Sequence, residues 1–273
     1  MNHKTQNALR FIKNLILVPR CASCNLRLSP IPEREEITHG KICFCEKCRE
    51  KWQKAKSEIC PTCYNLSEKC NCTPDFFFKY QPDIPSLCFY RPNSGDTPSR
   101  AIITMKRRID VELLEFMALE LRPKLEKTLG KMGIDGKDCV FTWMPRKRDA
   151  IIESGFDQGK ELSARLAALF GAECRPLFIR AGGKEQKRLD KRSRKSNAEK
   201  HFKLNESMKG FSSALRRKGL KAFLKDKNVV IVDDVLTSGA TLRRGVELLS
   251  RASAANTVVT CIAKSVNDET APK

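Results

Sequence analysis

No stretch of the 273-residue chain approaches the roughly eighteen consecutive apolar positions that a membrane-spanning helix requires, so no span is expected. The N-terminal segment ALRFIKNLILVPR interrupts its apolar run with Lys13 and Asn14 and offers no small-residue cleavage site, which argues against a secretory leader. A Gly-x4-Gly-Lys-Ser/Thr loop is also missing, and with it the phosphate cradle of P-loop nucleoside triphosphatases. Negative charge is scarce: 32 Asp and Glu stand against 52 Lys and Arg, a formal balance of +20. A cytoplasmic, reducing location is expected, where clustered cysteine pairs are more often metal ligands than disulfides. Ala8, Leu9, Phe11, Ile12, Leu15 and Ile16 share one helical face, so residues 1–20 are read as an amphipathic helix docking on this protein rather than on a membrane.

Cysteine, by contrast, is abundant and uneven. Nine of the 13 cysteines fall between Cys21 and Cys72, while Cys88, Cys139, Cys174 and Cys261 stand singly in apolar surroundings and read as core. Cys21-x2-Cys24 followed by Cys45-x2-Cys48 has the spacing of a zinc ribbon, in which two turns each present two thiolates to a tetrahedral ion. Cys60-x2-Cys63 with Cys70-x-Cys72 makes a second four-thiolate set, its last pair one residue tighter than usual. Cys43 is left over, and an exchange of Cys43 for Cys45 remains open. Residues 21–73 are therefore expected to be a double zinc ribbon with two structural Zn²⁺ ions, because four thiolates leave no open coordination position. Each such site carries about two negative charges, which would lower the net balance to roughly +16. Lys and Arg on the module, with Trp52 and Phe44 as stacking groups, are one route to nucleic acid; a plain solvated surface is the other.

The remaining length suits one α/β domain. Residues 74–98, punctuated by Pro74, Pro82, Pro85, Pro92 and Pro98, are expected to be a linker and a first strand, and 99–273 the main domain. Helices are expected over Val111 to Thr128, Glu161 to Phe170 and Ala240 to Ser250. Strands are expected at CVFTWM from Cys139, PLFI from Pro176, Asn228 to Val232 and NTVVTCIAK from Asn256. Strands alternating with helices imply a parallel sheet with right-handed crossovers. Between Arg180 and Lys227 there are 17 Lys or Arg against 5 Asp or Glu, so one segment dominates the electrostatics and its partners should be polyanions.

VVIVDDVLTSGAT, from Val229 to Thr241, carries the most chemistry. An apolar strand ending in Asp233 and Asp234 sets two carboxylates at the carboxyl end of a parallel sheet, where such folds bind ligands. Thr237, Ser238, Gly239, Ala240 and Thr241 then give small side chains, hydroxyls and a glycine at a helix start, where free N–H groups and the helix dipole favour phosphate. Carboxylates for sugar hydroxyls and a donor loop for a phosphomonoester together fit one ribose 5-phosphate.

The segment resembles the phosphoribosyl pyrophosphate motif of type I phosphoribosyltransferases, and the chain around it resembles, over nearly its whole length, the ComF (competence-protein-F-like) family. The family's Pro-Val-Pro-type loop is matched by Trp143-Met144-Pro145-Arg146, and its Arg-Gly-Phe-Asn-Gln stretch by Ser154-Gly155-Phe156-Asp157-Gln158. Its Gln, Arg and Asn series is matched by Gln186, Arg194 and Asn197, followed by Phe202. Ser154 and Asp157 replace the usual Arg and Asn, and MKRRID from Met105 lacks a Gly common after that Lys. The resemblance implies an α/β, parallel-sheet type I phosphoribosyltransferase fold with a small N-terminal zinc-ribbon module, binding phosphoribosyl pyrophosphate or a ribose phosphate with Mg²⁺. It also implies pyrophosphate contacts from Pro145, Arg146 and Lys147, with Lys106 and Arg107 as further candidates. Purine enzymes acting on 6-oxopurines carry an acidic residue where this chain has Thr237, which argues against ordinary hypoxanthine or guanine salvage.

Two functions follow. One is an enzyme that transfers the phosphoribosyl group to an unidentified acceptor, with Asp233 and Asp234 at the reacting sugar. The other, implied by the resemblance, is a non-catalytic accessory factor for single-stranded DNA uptake in natural competence, working with competence helicase machinery. The basic stretch Lys184 to Lys195 serves either, since it can neutralise DNA phosphates or close over pyrophosphate.

Overall fold

A computed structural model describes residues 19–28, 43–60, 63–66, 70, 75–180 and 201–266. The expected N-terminal helix, Cys72, the basic stretch from Lys184 to Lys195, and Gln186, Arg194 and Asn197 lie outside the described residues. No helix among the described residues is long and apolar enough to cross a membrane.

The main body is a five-stranded parallel sheet in the order β1-β7-β6-β2-β3, built from β1 (Cys88–Tyr90), β2 (Cys139–Trp143), β3 (Glu173–Cys174), β6 (Asn228–Leu236) and β7 (Asn256–Ser265). Its central strands are apolar on both faces because both faces are covered. Phe141, Val230, Val232 and Ile262 pack with α3 (Val111–Lys131) and α5 (Gln158–Phe170) on one side. Val140, Val229, Ile231 and Val259 pack with α8 (Ala240–Arg251) on the other. The helices start where short polar side chains cap them: Asp96 accepts from Ser99 N–H at α2 (Thr97–Arg107), Asp110 from Leu113 N–H at α3, and Asp157 from Gly159 N–H at α5. α5 stops at Gly171, whose φ of 67° is the left-handed conformation glycine adopts without a Cβ penalty.

Three expectations are corrected. The strand begun at Pro176 is β4 (Phe178–Arg180), which pairs antiparallel with β5 (Phe202–Leu204) in a separate ribbon rather than joining the sheet. Phe178 and Phe202 bury themselves against the α8 layer, so this short apolar run finds its core outside the sheet. The strand carrying the two aspartates does not end at them; β6 continues to Leu236, with Asp233 opposite Cys261 and Leu236 opposite Lys264 of β7. Finally, Trp52 and Phe44 are unavailable for stacking on nucleic acid, because both are buried and stack on each other at 5.6 Å. Phe116 of α3 meets both rings edge-on, and such pairs add roughly 0.5–1.5 kcal/mol beyond burial alone. Helices α2, α4 (Arg148–Ser154), α6 (Ser213–Lys218) and α7 (Leu220–Leu224) were not foreseen; none has a long apolar period.

The cysteine-rich segment shares this core. Cys21, Ala22, Leu28, Phe44 and the Trp52 of α1 (Glu46–Lys56) belong to the same apolar cluster as Leu113, Met117 and Leu121 of α3. Polar ties reinforce the seam: Thr104 donates to Ala22 O at 2.8 Å, Lys56 pairs with Glu120, and Arg91 makes a two-pronged contact with Glu58 at 2.6 and 3.0 Å.

Candidate functional site

The sheet register places the site. β2 lies beside β6 with Trp143 opposite Val232, so both strands deliver their following residues to the same carboxyl edge. β6 brings Asp233 and Asp234 there; β2 brings the Met144 to Lys147 loop. After Leu236 the chain passes exposed Thr237 and Ser238 to Gly239, which has φ 72° and starts α8 without any side-chain cap. The N–H groups of the first turn of α8, residues Ala240 and Thr241 included, thus face no capping side chain, an arrangement suited to an anion. Behind them Gly245 lets α8 close on the sheet, since a Cβ there would lie 2.9 Å from Ile231 and from the Met144 sulfur.

The two aspartates occupy different surroundings. Asp234, on the α5 side of the sheet, is 7% exposed. Its Oδ2 receives the Gln158 amide at 2.8 Å and the Lys106 ammonium at 3.3 Å. Asp233 Oδ1 turns back to accept from Asp234 N–H at 2.8 Å. Although Asp233 keeps part of its surface in solvent, loss of water around its carboxyl, then the adjoining Asp234 charge, push it up to about 8. Lys106, at the end of α2, also stands 6.0 Å over the Tyr90 ring. The paired carboxylates are hard oxygen donors and suit Mg²⁺ accompanied by a ribose and phosphates.

Asp157 joins this edge to the neighbouring loop. Its Oδ2 accepts from Arg146 N–H at 3.2 Å while Oδ1 accepts from Gly159 N–H at 3.1 Å. Burial raises its carboxyl, and the donated backbone N–H groups of Arg146, Lys160 and Gly159 oppose that rise. The Arg146 guanidinium donates to Lys106 O and to Ser154 Oγ, both at 3.2 Å. Ser154, a departure from the resembled pattern, therefore serves as acceptor for an arginine that a second arginine would repel. Of the expected pyrophosphate residues, Lys106 reaches Asp234, Arg146 is tied to the Lys106 carbonyl, Pro145 is half-buried, and Lys147 is exposed at the start of α4. Gln158 entered the sequence reading only as part of a resembled stretch. The accessible signal for its neighbour was an Asp immediately before an amphipathic helix, the usual cap position.

The cysteine sulfurs form two groups. Those of Cys21, Cys24, Cys45 and Cys48 lie within 4.8 Å of one another, as do those of Cys60, Cys63 and Cys70. Cys24 and Cys45 sulfurs are 3.6 Å apart, close to the ~3.8 Å edge that four Zn–S bonds of about 2.3 Å imply. Cys43 stands apart from the sulfur group, 2% exposed in the apolar core, where burial drives its thiol well above the ordinary range. The first halves of the two groups are the same turn made twice. Cys21 N–H bonds to Leu26 O and Cys60 N–H to Asn65 O; Asn25 N–H bonds to Cys21 O and Tyr64 N–H to Cys60 O. Asn25 (φ 64°) and Tyr64 (φ 56°) occupy the left-handed position in each, and Arg20–Arg27 and Ile59–Leu66 bridges close both. Four thiolates in such turns suit a structural Zn²⁺.

Residues 155–273 match the family model of the phosphoribosyl transferase domain. No curated protein matches. Among solved structures, the chain is similar to a hypoxanthine phosphoribosyltransferase from Staphylococcus aureus at 14% identity, covering 57% of this chain and 73% of that one with a TM-score of 0.33. A purine phosphoribosyltransferase from Pyrococcus horikoshii gives 17%, 58%, 84% and 0.31 in the same order. The allosteric regulatory enzyme of purine biosynthesis gives 17% identity over 57% of this chain, with a TM-score of 0.30, and the chain spans 25% of its length.

Proposed function

We propose that the carboxyl edge of β2 and β6 binds phosphoribosyl pyrophosphate with Mg²⁺ and transfers its phosphoribosyl group to an acceptor nucleophile. The observation that carries this reading is the unbroken run from Asp233-Asp234, inside a phosphoribosyl transferase domain match, to the uncapped first turn of α8. The 5-phosphate would take the N–H groups of that turn and the hydroxyls of Thr237, Ser238 and Thr241. Asp234 would orient the ribose by accepting a hydroxyl, and the Lys106 ammonium already beside it would turn to the pyrophosphate. Pro145 sets the course of the loop, and Arg146 and Lys147 add positive charge next to that leaving group. In the reaction the acceptor's lone pair bonds to ribose C1 while the C1–O bond breaks and its electrons leave with pyrophosphate. When bound, Mg²⁺ supplies charge neutralisation for that leaving group. Positive charge gathers on the sugar in the transition state, and the Asp234 carboxylate would stabilise it.

Calorimetric titration of the zinc-loaded chain with Mg²⁺ and phosphoribosyl pyrophosphate tests binding, and pyrophosphate release with a panel of bases and amines tests transfer. The Asp233→Asn, Asp234→Asn double variant should abolish both; undiminished release would remove these carboxylates from the site. The accessory reading in single-stranded DNA handling rests on the Lys184 to Lys195 stretch, and nothing in the described fold favours it.

A further inference from the structure

Among the described residues only two buried side-chain oxygens lack a hydrogen-bond partner, Ser86 Oγ and Gln158 Oε1, and the second belongs to the group around Asp234. Gln158 is 6% exposed. Its amide orientation is decided by its partner: a carboxylate accepts and cannot donate, so Nε2 faces Asp234 Oδ2 and Oε1 must face elsewhere. A buried carbonyl without a donor is a bond left unmade, and such atoms in folded proteins call for an explanation such as a ligand. Oε1 shares a carbon with the nitrogen that touches Asp234. Because Oε1 itself has no exposed surface, a vicinal neighbour of a sugar hydroxyl held by Asp234 would meet it only once the side chain on the solvent side moves away. Lys106, with 35% of its side chain exposed against 9% for Asp234, lies on the solvent side of the pair and is the group that shifts to admit the sugar.

We propose that Gln158 is a specificity-determining residue: its Oε1 accepts one hydroxyl of a ribose vicinal diol whose other hydroxyl is held by Asp234. This rests on the phosphoribosyl reading of the site and extends it to which pentose phosphates are accepted. Asp157 and Gln158 then act in sequence, the first fixing the Arg146 backbone and the second measuring the sugar.

The test measures calorimetric affinities of the full zinc-loaded chain for ribose 5-phosphate, 2-deoxyribose 5-phosphate, 3-deoxyribose 5-phosphate and inorganic phosphate. Wild type should bind ribose 5-phosphate about ten-fold more tightly than either deoxy sugar. Gln158→Met, similar in length but without an acceptor, should lose discrimination against one deoxy sugar, keep it against the other and leave phosphate affinity unchanged. Gln158→Leu should repeat that pattern, with thermal melting as the control for folding. Wild type binding all three sugars equally overturns the inference whatever the variants do, and so does unchanged discrimination in a folded Gln158 variant. If wild type binds none of the four ligands, the phosphoribosyl reading itself fails, an outcome distinct from either.

Discussion

Asp233 and Asp234 are neighbours of the same type with different electrostatic fates. Asp234 holds a cation and an amide; Asp233 faces a loss of water and a like charge. The folded protein keeps a proton on Asp233 that an unfolded chain releases above about pH 4. This group therefore lowers stability progressively as pH rises from about 4 toward 8, and Asp233→Asn should flatten that slope in thermal melts. The cysteines make a second residue-scale prediction: zinc released into a chelating dye should fall by about one equivalent in Cys45→Ser and stay unchanged in Cys43→Ser. The aspartate pair was legible in the sequence because an apolar run led into it. Lys106 and Gln158 were not legible as its partners, since only folding brings α2 and α5 to β6.

Caps and turns decide how the site edge is held. Asp157 closes the start of α5 and tethers the Arg146 N–H at once, so Asp157→Ala should cost more than the ~1 kcal/mol of a lost cap alone. Differential scanning calorimetry should show a Tm loss of at least about 2–4 °C. Asp157→Asn, which keeps one acceptor oxygen, should recover part of it. At the opposite side, Gly239 holds a left-handed φ that a β-branched residue resists, so Gly239→Val should weaken inorganic phosphate binding while leaving zinc content intact. The central strands of the sheet were readable from apolar runs, whereas the two-residue edge strand β3 was not. The β4–β5 ribbon was not, because its partner strand lies beyond the basic stretch and three-residue strands carry no period of their own.

Across the whole molecule, the cysteine-rich segment and the sheet domain are bonded by a common interior. The spacing of the cysteines indicated a module but could not indicate its docking, which depends on Phe44, Trp52 and Phe116 meeting across the chain. Stripping zinc with a chelator should therefore lower the melting temperature of the entire chain in one cooperative transition. Two separate transitions would show independent units. The repeated cysteine turn has one more consequence. Its second copy sits with Cys60 and Cys70 against Phe89 of β1, the short strand at the sheet margin, and the buried Lys264 of β7 donates to Cys70 O at 2.6 Å. An uncovered sheet margin is a template on which other chains can add strands. Zinc at that turn would then be a guard against self-association, and chelated protein should scatter light before it unfolds.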